Sequence, residues 1–367
     1  MAASLGGDGM REIEVDLETV PLADIDQPKG AVLSVRNLSV EFPTDDGVVK
    51  AVDDVSYDVY PNEVLGIVGE SGSGKTVSSL AVLGLLPKTA RISGNIVLQG
   101  RELIGLSERE LRVVRGSKIA MVFQDALAAL NPVFTVGDQV AEAIEVHRDL
   151  SKKEVQAEVH ELLALVGIPN PQRRAEQYPH EFSGGMRQRA MIAMSLANRP
   201  EVLIADEPTT ALDVTIQAQV LEVFERIQDQ TNSAIILITH DLGVVAGMAD
   251  RVLVMYAGRH AEVGTVDEIF YEPRHPYTLS LLASLPRLDR GSRGERLYRI
   301  KGQPPSLIYV PPGCAFHPRC PLARLPEPCA ADRPELYLVA GDHRAACHFH
   351  EDLAGLTADE LKARVSK

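Results

Sequence analysis

None of the apolar runs in the 367 residues approaches the roughly 18 that a membrane-spanning helix needs. The early residues carry acids and lack the basic-then-apolar order of a secretory signal. Bases are scarce as well: 37 Lys and Arg stand against 51 Asp and Glu, for a formal net charge of −14. That balance argues against a duplex nucleic-acid binder, which needs a basic footprint to displace counterions. Cysteine is rarer still. Cys314, Cys320, Cys329 and Cys347 all fall in the last sixth of the chain, so they form a local device and not a chain-wide disulfide framework. What remains is expected to be a soluble, intracellular protein of two or three units, at roughly 150 residues per unit. Hydrophobic residues, at 45%, suffice for sizeable cores.

Residues 1–30 mix acids with Gly, Ala and Pro without periodicity, which predicts a disordered acidic arm. From Leu33 to Val59, β-branched stretches flank Thr44-Asp45-Asp46-Gly47 and predict antiparallel strands. Val64–Val68 reads as a buried strand, followed by a glycine-rich turn and an apolar helix that Pro87 is expected to stop. Val140, Ile144, Val155, Val159, Leu162, Leu163 and Val166 recur at helical spacing and predict a helical block, about residues 125–195. Buried-strand patterns return at Val202–Ala205 and Ala234–Thr239, separated by an amphipathic helix. Strands alternating with helices in this way predict an α/β core with a parallel sheet. Beyond about residue 286, prolines crowd a segment with little periodicity, expected to form a small C-terminal extension through residue 350 and a tail over 351–367.

Gly69-Glu70-Ser71-Gly72-Ser73-Gly74-Lys75-Thr76 fits the pattern G-x-x-x-x-G-K-S/T without a gap. Glycines let the backbone curl until successive N–H groups converge on phosphate oxygens, and the following helix adds its positive end. Lys75 is placed to reach the β- and γ-phosphates and the Thr76 hydroxyl to hold Mg²⁺. The chain is therefore expected to bind a nucleoside triphosphate. About 130 residues downstream, Val202-Leu203-Ile204-Ala205-Asp206-Glu207 ends an apolar strand in two acids. Such a strand brings carboxylates to the sheet edge where phosphates lie: Asp206 for Mg²⁺ and Glu207 as general base toward water.

Ser183-Gly184-Gly185-Met186-Arg187-Gln188-Arg189 lies just upstream of those acids, and Pro208-Thr209-Thr210-Ala211-Leu212-Asp213 follows them. With these motifs the sequence resembles the ATP-binding subunits of ABC transporters over residues 31–285. The resemblance implies a P-loop ABC-type ATPase core with an antiparallel β subdomain and an α-helical subdomain. It also implies residue roles. Gln124 would sense Mg²⁺ and couple to the membrane partner, His240 would contact the γ-phosphate, and Phe42 would stack on adenine. Ser183, Gly184 and Gly185 would contact the nucleotide held by an opposing subunit. Ser183 is a natural helix cap, which fits a helix end facing phosphate. Phe182 and Met186 depart from the commonest signature, while the phosphate-facing residues are intact.

Tyr178-Pro179-His180-Glu181-Phe182 before the signature, Leu130-Asn131-Pro132, His275-Pro276-Tyr277-Thr278 and Gly302-Gln303-Pro304-Pro305 resemble one branch, the oligopeptide and dipeptide importers. Nickel importers are close relatives and stay open as an alternative. The branch implies ATP hydrolysis that energises peptide import, at the cytoplasmic face of the membrane. Its implied partners are two transmembrane permease subunits, an extracytoplasmic peptide-binding protein and a second ATP-binding subunit, a heterodimer being favoured over a homodimer. A soluble DNA-repair ATPase shares the core motifs, but it would normally carry a coiled-coil or DNA-binding insertion and a basic surface. Neither is visible, and no nucleic-acid partner is expected.

Five, eight and seventeen residues separate the successive cysteines. Four thiols in a proline-rich segment with little core of its own suggest a metal staple. The spacing matches neither paired C-x-x-C zinc sites nor ferredoxin runs, so it does not choose the metal, and four reduced structural thiols remain open. The branch implies a [4Fe-4S] cluster on Cys314, Cys320, Cys329 and Cys347. Zn²⁺ is the alternative, with His317, His343, His348 and His350 as substitute ligands.

Overall fold

A computed structural model describes residues 27–210, 212–285 and 298–365. Most of the predicted acidic arm, the junction at residue 286 and the last two residues lie outside them.

Strands β1 (Leu33–Thr44) and β2 (Gly47–Val59) form an antiparallel hairpin that turns at Asp45-Asp46, with Thr44 opposite Gly47. The chain then enters β3 (Val64–Val68), the glycine loop and α1 (Lys75–Val82). Pro87 does not stop this helix. Gly84 does, at φ +61°, with its N–H on the Ala81 carbonyl at 3.0 Å and the Leu85 N–H on the Leu80 carbonyl at 2.9 Å. This paired closure needs a left-handed residue, which glycine supplies at least cost. Strands β4 (Arg91–Leu98) and β5 (Arg101–Glu102) complete a four-stranded sheet in the order β2-β1-β4-β5.

Helix α2 (Glu108–Val114) leads to β6 (Ile119–Val122), after which helices replace strands. They are α3 (Ala126–Ala129), α4 (Val136–Glu145), α5 (Lys152–Leu165), α6 (Pro171–Ala175) and α7 (Gly184–Ser195). All seven apolar residues singled out by spacing are buried here. Thr135 caps α4, and Ser151 with Glu154 forms a capping box on α5. The chain returns through β7 (Val202–Asp206), α8 (Val214–Thr231), β8 (Ala234–Thr239), α9 (Leu242–Met248), β9 (Arg251–Tyr256) and β10 (Arg259–Thr265).

The larger sheet has the order β11-β12-β10-β9-β3-β8-β7-β6. From β9 to β6 the neighbours are parallel. Every residue of β3, β7 and β8 is buried, as a sheet covered on both faces requires. Alternation divides each strand between two cores. Val64 and Val68 join Ile235, Leu237 and the helical block. Leu65 and Ile67 join Ile236, Ile238 and the four-stranded sheet.

After α10 (Val266–Tyr271) and α11 (Pro276–Ser284), the proline-rich segment leads into β11 (Tyr337–Ala340), β12 (His343–Ala345) and α12 (Ala358–Val365). Strand β12 pairs with β10, so this segment extends the main sheet. It also borrows the main core. Phe316 is 1% exposed, with ring centroids 5.2 Å from Tyr256 and 5.3 Å from Tyr277.

Candidate functional site

The parallel strands deliver the chemistry-bearing residues to one sheet edge. The glycine loop follows β3, Gln124 follows β6, Asp206 ends β7 with Glu207 next to it, and His240 follows β8. This is the carboxyl edge where open α/β sheets bind ligands.

In the loop, Gly69 and Gly74 have φ of +153° and +100°. A Cβ at Gly69 would sit 2.2 Å from the Met255 carbonyl oxygen, and one at Gly74 would sit 2.3 Å from that of Ala51. Glycine is therefore required at both places. Ser71 and Gly72 are exposed, while Ser73 is buried with no partner for its Oγ. A buried hydroxyl without a partner is costly, and here it lies in a loop built for phosphate. Lys75 Nζ donates to the carbonyls of Gly69 at 2.8 Å and Glu70 at 3.1 Å. Burial pushes the Lys75 ammonium below its ordinary range, against the pull of Glu207, Asp206 and Glu70.

Thr76 Oγ1 donates to Asp206 Oδ1 at 3.1 Å. Asp206 is buried, and desolvation raises its carboxyl pKa above the usual 3.8; the Thr76 bond opposes this and neighbouring Glu207 adds to it. Two adjacent carboxylates with too little positive charge favour a cation. Among the described residues, no group of three or more His, Cys, Asp and Glu can hold a metal ion.

Glu207 occupies a left-handed backbone position, φ +47°, and its N–H donates to the Ile238 carbonyl at 2.8 Å. Such a conformation is costly for a non-glycine residue and is held here by the sheet. Its Oε2 accepts from Gln124 Nε2 at 3.1 Å and from Thr210 Oγ1 at 2.9 Å, and Oε1 lies 3.3 Å from His240 Nδ1. Six expected residues, Lys75, Thr76, Gln124, Asp206, Glu207 and His240, thus form one cluster. Thr210 is an addition; its only sequence signal is a hydroxyl three residues after the glutamate.

The signature opens α7. Ser183 caps α7, accepting from the Met186 N–H at 3.3 Å, and Ser183 and Gly184 are exposed. Gly185 is buried, and a Cβ there would lie 2.4 Å from Ile216 Cγ2. Phe42 is half-buried on β1, opposite Val49, and packs against the core beside the four-stranded sheet.

All four cysteines are free thiols and line one cavity together with His317 and His348. Burial raises the Cys314 thiol and pushes Cys320 and Cys347 up to about 12, which disfavours the thiolate form of these three. Of the other histidines, His343 is buried against Glu262 at 2.8 Å, and His350 stacks on Tyr337. Neither lines the cavity.

A family profile described as "ABC transporter" matches residues 52–210, and one described as "Oligopeptide/dipeptide transporter, C-terminal region" matches residues 261–329. The dipeptide transport ATP-binding protein DppD of Bacillus subtilis is 57% identical over 79% of this chain and 87% of its own length. The oligopeptide transport ATP-binding protein OppD of Mycobacterium bovis is 52% identical over 90% of this chain and 54% of its own length. The chain thus spans about half of that relative. Among solved structures, the dimeric bacterial ABC transporter cassette MJ0796 is 25% identical, with a TM-score of 0.57 over 64% of this chain and 98% of its own length. At 57% identity over 87% of the Bacillus relative, the likeness shows that the chain belongs to the family of ATP-binding subunits of oligopeptide and dipeptide ABC transporters.

Proposed function

We propose that this chain hydrolyses ATP to energise the import of peptides across a cytoplasmic membrane. The observation that carries the reading is the hydrogen-bonded cluster at the sheet edge, where Thr76 meets Asp206 while Gln124, Thr210 and His240 surround Glu207. The loop amides and Lys75 neutralise phosphate charge once Lys75 leaves its carbonyl partners. Glu207 takes the proton of the attacking water, and His240 orients that carboxylate while donating toward a phosphate oxygen. Thr76, Asp206 and Gln124 would hold Mg²⁺, which when bound would offset the negative charge of the phosphates. Phe42 would stack on adenine. The C-terminal family match and the Bacillus relative named for dipeptide transport support peptide as cargo.

Ser183 and Gly184 are exposed at the N-terminus of α7, and Gly185 next to them is buried. They would close on the nucleotide of a second ATP-binding subunit, a different chain being the first choice. Among the described residues no helix is long and apolar enough to cross a membrane. Two permease subunits would supply the path, and an extracytoplasmic binding protein would deliver the peptide. The chain would sit peripherally at the cytoplasmic face. Steady-state ATPase assay of the chain co-purified with its membrane partners tests this. Stimulation by peptide-loaded binding protein is expected; turnover indifferent to it would count against import.

For Cys314, Cys320, Cys329 and Cys347 we propose a [4Fe-4S] cluster. Four thiols share one cavity, the number of thiolates that such a cluster takes. Such a cluster would supply four thiolate cross-links to a segment with little core of its own. Anaerobically purified protein should be brown and contain iron and acid-labile sulfide. A colourless, zinc-loaded protein would overturn the assignment.

A further inference from the structure

Glu70 is the second residue of the phosphate loop, and a residue from the far end of the chain holds it. Arg319 lies between Cys314 and Cys320, 249 positions downstream. Its guanidinium spans both carboxylate oxygens, Nη1 to Oε2 at 2.5 Å and Nη2 to Oε1 at 2.9 Å. The Arg319 side chain is 5% exposed. Its Nε donates to the Lys301 carbonyl at 3.2 Å, and Nη1 also reaches Tyr256 Oη at 3.3 Å.

The backbone of Glu70 is held from the same side. Its N–H donates to Tyr277 Oη at 2.8 Å, and the Tyr277 ring packs on Phe316, three residues before Arg319. Its carbonyl accepts from Lys75 Nζ at 3.1 Å and from the Ser73 N–H at 3.2 Å. Glu70 therefore joins the internal bonding of the loop to the cysteine segment. A two-pronged guanidinium–carboxylate pair restrains the carboxylate in plane as well as in distance, which a lysine cannot reproduce.

We propose that Arg319 is a positioning residue: through Glu70 it fixes the shape of the phosphate loop, so that the order of the cysteine segment sets the affinity for ATP. The inference rests on the reading of this loop as an ATP site. By linkage, a nucleotide that needs the loop in this shape also steadies the Cys314–Cys320 segment.

The test uses the full chain with Arg319→Lys, Glu70→Gln and the double variant. Glu70→Gln leaves the cysteine segment untouched, and Arg319→Lys keeps the cation. In each single variant KM for ATP should rise about tenfold, the loss of one charge-assisted bond, with kcat within about twofold. The double variant should be no worse than the worse single, because both remove one contact. A merely structural defect would lower the folded fraction, and with it the apparent kcat, at unchanged KM. Wild-type KM in both singles, or effects that multiply in the double, would overturn the proposal. Lys75→Ala separates the two readings: if it loses ATP while the other variants do not, only the Arg319 proposal fails. If it binds ATP as the wild type does, the ATP-site reading fails and takes this one with it.

Discussion

Glu207 Oε1 lies 3.3 Å from His240 Nδ1, while Oε2 is held by Gln124 and Thr210. A carboxylate with three polar neighbours and a left-handed backbone is held in one orientation. Replacing it by an isosteric amide keeps the shape and removes the proton acceptor. Glu207→Gln should bind ATP as the wild type does and hydrolyse it at least about 100-fold more slowly, the usual weight of a general base. Phosphate release measured beside retained ATP checks this.

Asp206 has the opposite relation to stability. Burial raises its pKa above 3.8, so the folded chain holds this proton to higher pH than the unfolded chain. Stability from this group is complete below 3.8 and falls as pH rises through the folded value. At neutral pH the carboxylate is a cost until a cation offsets it. Asp206→Asn should therefore raise the melting temperature of the nucleotide-free protein and abolish the further rise that Mg²⁺-ATP gives. Differential scanning calorimetry with and without Mg²⁺-ATP measures both effects.

Gly185 packs against α8. The 2.4 Å approach of a new Cβ to Ile216 Cγ2 forces either the start of α7 or Ile216 to move. Gly185→Ala should leave ATP binding by the isolated chain unchanged and lower the ATPase rate of the assembled complex by roughly tenfold or more. Binding and turnover, measured separately, distinguish this from unfolding.

His275 is 3% exposed and its Nδ1 accepts from the Tyr277 N–H at 3.0 Å. Burial depresses its pKa from 6.5 to about 3. The unfolded chain takes up this proton below 6.5, and the folded chain does not until about pH 3. The contribution is complete above pH 6.5 and is lost as pH falls, at about 1.4 kcal/mol per pH unit. Urea denaturation between pH 7 and 4.5 should show this slope, and His275→Asn should flatten it by about one proton.

The ATP site was legible because its parts are local. Gly69–Thr76 is one contiguous loop, and the buried strand Val202–Asp206 announces itself by its apolar run. The helical block was legible through the spacing of Val155, Val159 and Leu162. Sequence reasoning placed the end of α1 at Pro87, because proline is the louder stop signal; the turn is made at Gly84. The pairing of β12 with β10 and the Arg319–Glu70 contact escaped it for one reason. Each joins residues 80 or more positions apart, and no periodicity or motif encodes a single long-range partner.

Coupled transport tests the central claim most directly. The complex purified through this chain is reconstituted into liposomes, with ATP on the side of the ATPase and labelled peptide with binding protein on the other. ATP-dependent peptide accumulation that disappears with Glu207→Gln is the predicted result. Accumulation unchanged by that substitution, or ATP turnover without peptide movement, would contradict the account.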